Sequence, residues 1–278
     1  MVLVIFAAAL VTGCGVSSGK GKVVAAFYPL AYAAERIGGP SLPVENLTPA
    51  GAEPHDLELA PKAVGRIQTA DVVLYLGRGF QPAVSKAVEQ ARGKRVDVLQ
   101  GLPLRRAAGE DDGLSADPHV WLDPVLFAQI ARRIGRVLGK PSTDLRRDLG
   151  RLDREYSTGL RTCERREIVT SHAAFGYLAA RYHLRQVPIT GLTPESEPSP
   201  QELARAVQVV RRTRATTVFF ETLLSPRLAD TVAREVGART AVLDPIEGLT
   251  AAEEKKGLDY LSLMRKNLAA LRKALGCR

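Results

Sequence analysis

Thr143-Asp144-Leu145-Arg146-Arg147-Asp148-Leu149-Gly150-Arg151-Leu152-Asp153-Arg154-Glu155-Tyr156-Ser157-Thr158-Gly159-Leu160-Arg161-Thr162 is the stretch on which the fold turns. Its apolar residues Leu145, Leu149, Leu152, Tyr156 and Leu160 step by four, three, four and four, which is one face of a helix, with Arg and Asp around the rest. Ser142 or Thr143 is placed to cap its start, just after Pro141. At 1.5 Å per residue such a helix is about 30 Å long, enough to cross a small domain. A stiff helix of this length between two bodies limits hinge motion.

Similar patterns lie on either side. Upstream, Val23-Val24-Ala25-Ala26-Phe27, Val44-Glu45-Asn46-Leu47, Val72-Val73-Leu74-Tyr75-Leu76 and Val96-Asp97-Val98-Leu99 read as strands, and residues 30–37, 61–70 and 81–92 as helices between them. Downstream, Glu167-Ile168-Val169-Thr170, residues 184–188, Thr217-Val218-Phe219-Phe220 and Thr240-Ala241-Val242-Leu243 repeat the strand signal. Helices are expected at 200–212 and 227–236, and a closing one at 257–275. Strands alternating with helices imply parallel sheets covered on both faces. The fold class is therefore α/β: two Rossmann-like lobes with parallel sheets, residues 23–142 and 163–278, joined by one long rigid helix at 143–162.

The N-terminus reads as a targeting segment. Residues 2–11 are almost wholly apolar, too short to span a bilayer and of signal-peptide length. They run into Val11-Thr12-Gly13-Cys14, which looks like a bacterial lipobox, and then a Gly/Ser/Lys tether at 15–22. Residues 1–13 are thus expected to be a lipoprotein signal peptide, with Cys14 lipidated and residues 14–22 a tether. That places the body outside the cytoplasm, on the cell membrane or in a periplasm. No Lys or Arg precedes the apolar core, which leaves the true translation start open. Cys163 and Cys277 remain; outside the cell an even pair suggests a disulfide, two separate thiols being the alternative.

The formal charge of +9 is spread among Asp and Glu, and only 5% of residues are aromatic, so a nucleic-acid reader is not indicated. A solvated basic surface accounts for it, with weak attraction to anionic lipid beside an anchor as the lesser reading.

Candidate chemistry concentrates on the histidines, of which there are four. His55 follows the second strand, His119 sits in Asp117-Pro118-His119-Val120-Trp121-Leu122-Asp123-Pro124, and His172 closes a strand in Thr170-Ser171-His172. Asp123 can cap a helix that has Pro124 at its first position. Asp244 closes another strand in Val242-Leu243-Asp244-Pro245. Open parallel sheets bind ligands beyond the carboxyl ends of their strands. Two of these four groups come from each lobe, so all can meet in the cleft. Three imidazoles and one carboxylate suit a borderline ion such as Zn²⁺, whereas Mg²⁺ and Ca²⁺ want more oxygens. His183, late on a helix, is read as structural or exposed.

The strings Pro54-His55-Asp56-Leu57-Glu58, Asp117-Pro118-His119-Val120-Trp121, Ser171-His172-Ala173-Ala174-Phe175-Gly176-Tyr177 and Gly191-Leu192-Thr193-Pro194-Glu195-Ser196-Glu197-Pro198-Ser199-Pro200 resemble the zinc and manganese solute receptors of ABC importers, in order along the chain. The resemblance implies two α/β lobes joined by one long helix, a metal held by His55, His119, His172 and Asp244, and delivery to a membrane permease. Histidine rather than glutamate at the third position implies Zn²⁺, with Mn²⁺ as the alternative cargo. Many zinc receptors carry a histidine-rich loop before the second ligand; residues 105–116 contain none. Trp121 is expected to pack under the site. Glu197 and Glu221 either orient ligand imidazoles or serve as ordinary caps and loop ion pairs. A monomer is expected.

Two other classes compete. A zinc hydrolase would keep one coordination position for water, whereas four protein ligands close the sphere, and no His-Glu-x-x-His or nucleophile motif appears; the expectation is that the chain is not an enzyme. An adhesin lipoprotein stabilised by its metal is the third.

Overall fold

The computed structural model describes residues 21–107, 114–193, 200–213 and 215–278. The expected lipidation site Cys14 and the candidate Glu197 lie outside these residues. The first half runs β1 (Val23–Ala25), α1 (Tyr28–Gly38), β2 (Val44–Asn46), α2 (Pro61–Thr69), β3 (Val72–Tyr75), α3 (Pro82–Val88), β4 (Lys94–Asp97) and α4 (Pro124–Leu138). After α5 (Thr143–Gly159) come β5 (Glu167–Thr170), α6 (Gly176–Arg181), β6 (Arg185–Pro188), α7 (Pro200–Thr213), β7 (Thr217–Phe220), α8 (Arg227–Val236), β8 (Arg239–Val242), α9 (Ala251–Lys255) and α10 (Tyr260–Leu275).

Among the described residues the strands form two parallel four-stranded sheets, ordered β2-β1-β3-β4 and β6-β5-β7-β8. The two sheets share one strand order, and in both the chain reverses direction across the sheet beside the first strand. That switch leaves an open crevice at the carboxyl ends.

Strand alternation divides the second sheet between two cores. Ile168 and Phe219 face the large apolar cluster shared with the first lobe, α5 and α10, while Val169 and Val218 face a smaller cluster with Val210 and Val232 under α7 and α8. The face read from α5 is the buried one: Leu145, Leu149, Leu152 and Tyr156 are sealed, and the Tyr156 hydroxyl donates to the Met264 carbonyl of α10 at 2.6 Å. Ser142 holds the N-cap position of α5 without a side-chain capping bond. Asp123 does cap α4, accepting from Val125 N at 2.8 Å and Leu126 N at 3.3 Å, with Pro124 at the first turn. Cys163 and Cys277 are joined by a disulfide 114 residues apart in sequence, tying the chain's end to the start of the second lobe.

Element boundaries differ from the sequence reading where short polar segments carry backbone pairing. The fourth strand is Lys94–Asp97 rather than Val96-Asp97-Val98-Leu99, because Lys94 and Arg95 pair with Val72 and Val73 at an exposed edge. Val98 keeps one backbone bond to β3, its N–H donating to the Tyr75 carbonyl at 3.0 Å, and with Leu99 turns its side chain into the buried core.

Candidate metal centre

Each lobe delivers its functional side chains from the carboxyl ends of its strands. His55 comes from the loop after β2, and His119 from the loop after β4, immediately before a 3₁₀ turn at Val120–Leu122. His172 lies two residues beyond β5, and Glu247 five beyond β8. One ligand atom from each of these four groups can be chosen so that all lie within 4.8 Å of one another. All four are buried, His119 and Glu247 completely.

The ring nitrogens converge on one carboxylate. Glu247 Oε1 lies 3.3 Å from His55 Nε2, 3.1 Å from His119 Nε2 and 3.8 Å from His172 Nε2. His172 Nε2 has no hydrogen-bond partner at that distance. A buried ring nitrogen without a partner is costly in a dry site and is satisfied by a cation on its lone pair.

The far nitrogens are oriented by carboxylates. His119 Nδ1 lies 2.8 Å from Asp117 Oδ1, which also accepts the His119 backbone N–H at 3.0 Å. His172 Nδ1 lies 2.5 Å from Glu221 Oε1, and Ser171 Oγ donates to the same oxygen. An N–H donated from Nδ1 fixes the tautomer and leaves the Nε2 lone pair aimed at the centre. Trp121 packs beneath, its ring 5.1 Å from that of His119, and its Nε1 donates to the Pro245 carbonyl at 2.7 Å. The first lobe thereby holds the turn that carries Glu247.

Asp244, expected as the fourth member, is not brought into this group. Its Oδ1 accepts the Ile246 N–H at 2.7 Å, and its backbone N–H donates to Asn267 Oδ1 at 2.9 Å, so it braces the turn after β8. Ile246 takes a left-handed conformation (φ 57°), which redirects the chain and swings Glu247 inward in its place. His183, two residues past α6, is also left-handed and exposed, away from the cluster. Sequence reasoning missed Glu247, Asp117 and Glu53. The available signal for Glu247 was an acid in the apolar turn Pro245-Ile246-Glu247-Gly248-Leu249, just past the stretch quoted for Asp244.

The electrostatics follow from burial and these contacts. Burial lowers the pKa of His55, against the opposing charge and hydrogen bond of Glu247. Burial also opposes a charge on His119, but hydrogen bonds and charge from Asp117 and Glu247 outweigh it and raise the ring to about 9. Burial would raise Glu247, yet the surrounding imidazoles hold it well below the usual carboxylate range. Glu53, whose Oε1 accepts the His55 backbone N–H at 3.1 Å, is pushed up to about 10 by burial and by the charge of Glu247. It is therefore a neutral acid beside an ionised one.

The family model described as ZnuA, zinc-uptake complex component A, periplasmic, matches residues 23–274. The high-affinity zinc uptake system protein ZnuA of Bacillus subtilis (strain 168) is 35% identical over 96% of this chain and 94% of its own length. The zinc-binding lipoprotein AdcA of Streptococcus pneumoniae (strain TIGR4) is also 35% identical, over 92% of this chain, but the alignment spans only 56% of that relative. The crystal structure of the Zn(II)-bound ZnuA-like domain of Streptococcus pneumoniae AdcA superposes with a TM-score of 0.79 at 34% identity, over 92% of this chain and 99% of that domain.

Proposed function

We propose that this chain, which belongs to the family of periplasmic zinc-uptake components A, is the extracytoplasmic receptor that captures zinc between its lobes and delivers it to an ABC importer. The observation that carries the reading is the convergence of three buried Nε2 atoms on the Glu247 carboxylate, two side chains from each lobe. Nitrogen-rich donors suit a borderline divalent ion, and the Irving–Williams order places zinc above manganese on such a set. One ionised carboxylate leaves a formal charge of +1 when a divalent ion is held.

His55, His119 and His172 bind through Nε2, and Glu247 through its carboxylate. Four protein ligands close a tetrahedral sphere, which suits carriage; a catalytic zinc keeps a position for water. The ligands are divided between lobes, so capture and release couple to a small relative shift of the lobes, which the stiff connecting helix keeps short of a wide hinge. Lipidation at Cys14 would hold the receptor beside its permease, at the outer face of the cell membrane. Trp121 supports the ligand set from below, and Glu221 orients His172.

Zinc titration against a competing chelator tests this reading. His172→Ala and Glu247→Gln should each weaken zinc by orders of magnitude while circular dichroism stays native, and His183→Ala should bind like the parent. Unchanged affinity in both site variants would refute the ligand assignment. Competition between zinc and manganese on the parent chain should favour zinc, and a preference for manganese would overturn the cargo.

A further inference from the structure

His119 and His172 come from different lobes, yet one short helix of the second lobe touches both ends of the segment that carries His119. That helix, α6, begins four residues after His172. At its start the Tyr177 hydroxyl donates to the Asp117 carbonyl at 3.0 Å and accepts the Arg105 N–H at 2.8 Å. Gly176 lies so close that a Cβ there would stand 2.8 Å from Asp117 Oδ2. At its end, Arg181 reaches Asp123 Oδ2 through Nε at 2.8 Å and through a second guanidinium nitrogen at 2.7 Å. Asp117 holds His119 by its ring, and Asp123 fixes the N-terminus of α4. The seven residues 117–123 are thus pinned at both ends by the helix that follows the third histidine. The next residue, Tyr182, is itself fixed: its hydroxyl donates to Asp153 Oδ1 at 3.1 Å, and its ring stacks on Tyr156 of α5 at 5.0 Å.

We infer that α6 sets the spacing between His119 and His172, and that Tyr177 and Arg181 are positioning residues that determine which metal the receptor prefers. The inference rests on the zinc-receptor reading above. The imidazoles of His119 and His172 stand 5.3 Å apart, centre to centre. A fixed separation of this kind fits a small tetrahedral ion. An ion of higher coordination number needs the ligands to draw apart and admit further oxygens. With either pin gone, the 117–123 segment can recede from α6, carrying Asp117 and His119 with it. The loosened site accepts extra water, so zinc loses more than manganese does. Tyr177 makes two polar contacts that a phenyl ring of nearly the same shape cannot make. Arg181 makes a two-point contact that a point charge on lysine reproduces only in part.

The test uses the full chain as parent, Tyr177→Phe, Arg181→Gln and Arg181→Lys. Zinc and manganese affinities are measured by chelator competition, and the Co²⁺-loaded forms by visible absorption, since the intensity of d–d bands reports coordination number. Tyr177→Phe and Arg181→Gln should each weaken zinc about tenfold, the lower end of what removing an outer partner of a metal ligand costs. The zinc-to-manganese ratio should fall, and the Co²⁺ bands should lose intensity. Arg181→Lys should recover part of both. If Tyr177→Phe and Arg181→Gln lower only the melting temperature of the metal-free chain, with the metal ratio and Co²⁺ bands of the parent, α6 is scaffold and the inference is overturned. A parent chain that binds no zinc would overturn the receptor reading itself.

Discussion

Zinc loading should expel a proton from His119, and the size of that release should fall as pH rises. In the metal-free chain the His119 ring is raised from 6.5 to about 9. Burial acts against the charge, but Asp117 at 2.8 Å from Nδ1 and Glu247 at 3.1 Å from Nε2 prevail. At pH 7 the ring is therefore almost fully protonated, and a metal must displace that proton to reach Nε2. His119 should contribute nearly one proton at pH 7 and about half of one at pH 9, while apparent zinc affinity rises about tenfold per pH unit between them. The raised value also means that the proton stabilises the metal-free fold. That contribution, about 3 kcal/mol for a completely buried ring, is whole below pH 6.5 and is lost as pH rises through 9. Calorimetric titration in buffers of different ionisation enthalpy counts the protons directly. Asp117→Asn removes the stronger anionic partner and should flatten both the release and the affinity slope. Equal proton release at pH 7 and pH 9, unaltered by Asp117→Asn, would refute the reasoning.

Asp244→Asn should keep zinc affinity within about threefold of the parent, because the amide still accepts the Ile246 N–H and no cargo contact is removed. Burial raises the Asp244 carboxyl to about 7, so ionising it costs the fold stability as pH rises from 4 through 7; urea denaturation at pH 8 should show the Asn variant at least as stable. Trp121→Phe strands the Pro245 carbonyl and leaves a void beside Phe27, so it should lose about 2–4 kcal/mol in urea unfolding and weaken zinc through the Glu247 turn. Reducing the Cys163–Cys277 bridge frees a loop of more than a hundred residues in the unfolded chain, which should cost about 2–5 kcal/mol in thermal or urea unfolding. Zinc affinity should not move, since that bridge lies at the start of the second lobe beside the C-terminus of α10.

Much of the architecture is legible in the chain because periodicity records which face is buried. The steps from Leu145 to Tyr156 mark α5 directly, and the short β-branched runs at Val72-Val73 and Thr217-Val218 mark central strands. Edge strands are less readable. Lys94–Asp97 and Arg185–Pro188 have polar compositions, since an edge needs backbone partners on one side and little apolar cover. The helix–helix and aromatic contacts that bind the lobes, such as Tyr182 on Tyr156, join residues far apart in sequence and leave no local mark.

The histidines follow the same division. Strand-end placement pointed to His55 and His172, because a parallel sheet sends the end of every strand to the same edge, while His119 was read from its loop before a capped helix and from the motif resemblance. The choice between Asp244 and Glu247 lay beyond that rule. Both acids follow β8, and which one faces the cluster depends on the left-handed turn at Ile246, the Asp244 bond to its backbone N–H, and the Trp121 clasp on Pro245 from the other lobe. Sequence alone determined that the three histidines reach the crevice, since strand order and chain direction place their loops there; the tertiary structure decided which carboxylates join them, since that is set by the turn after β8 and by contacts between lobes.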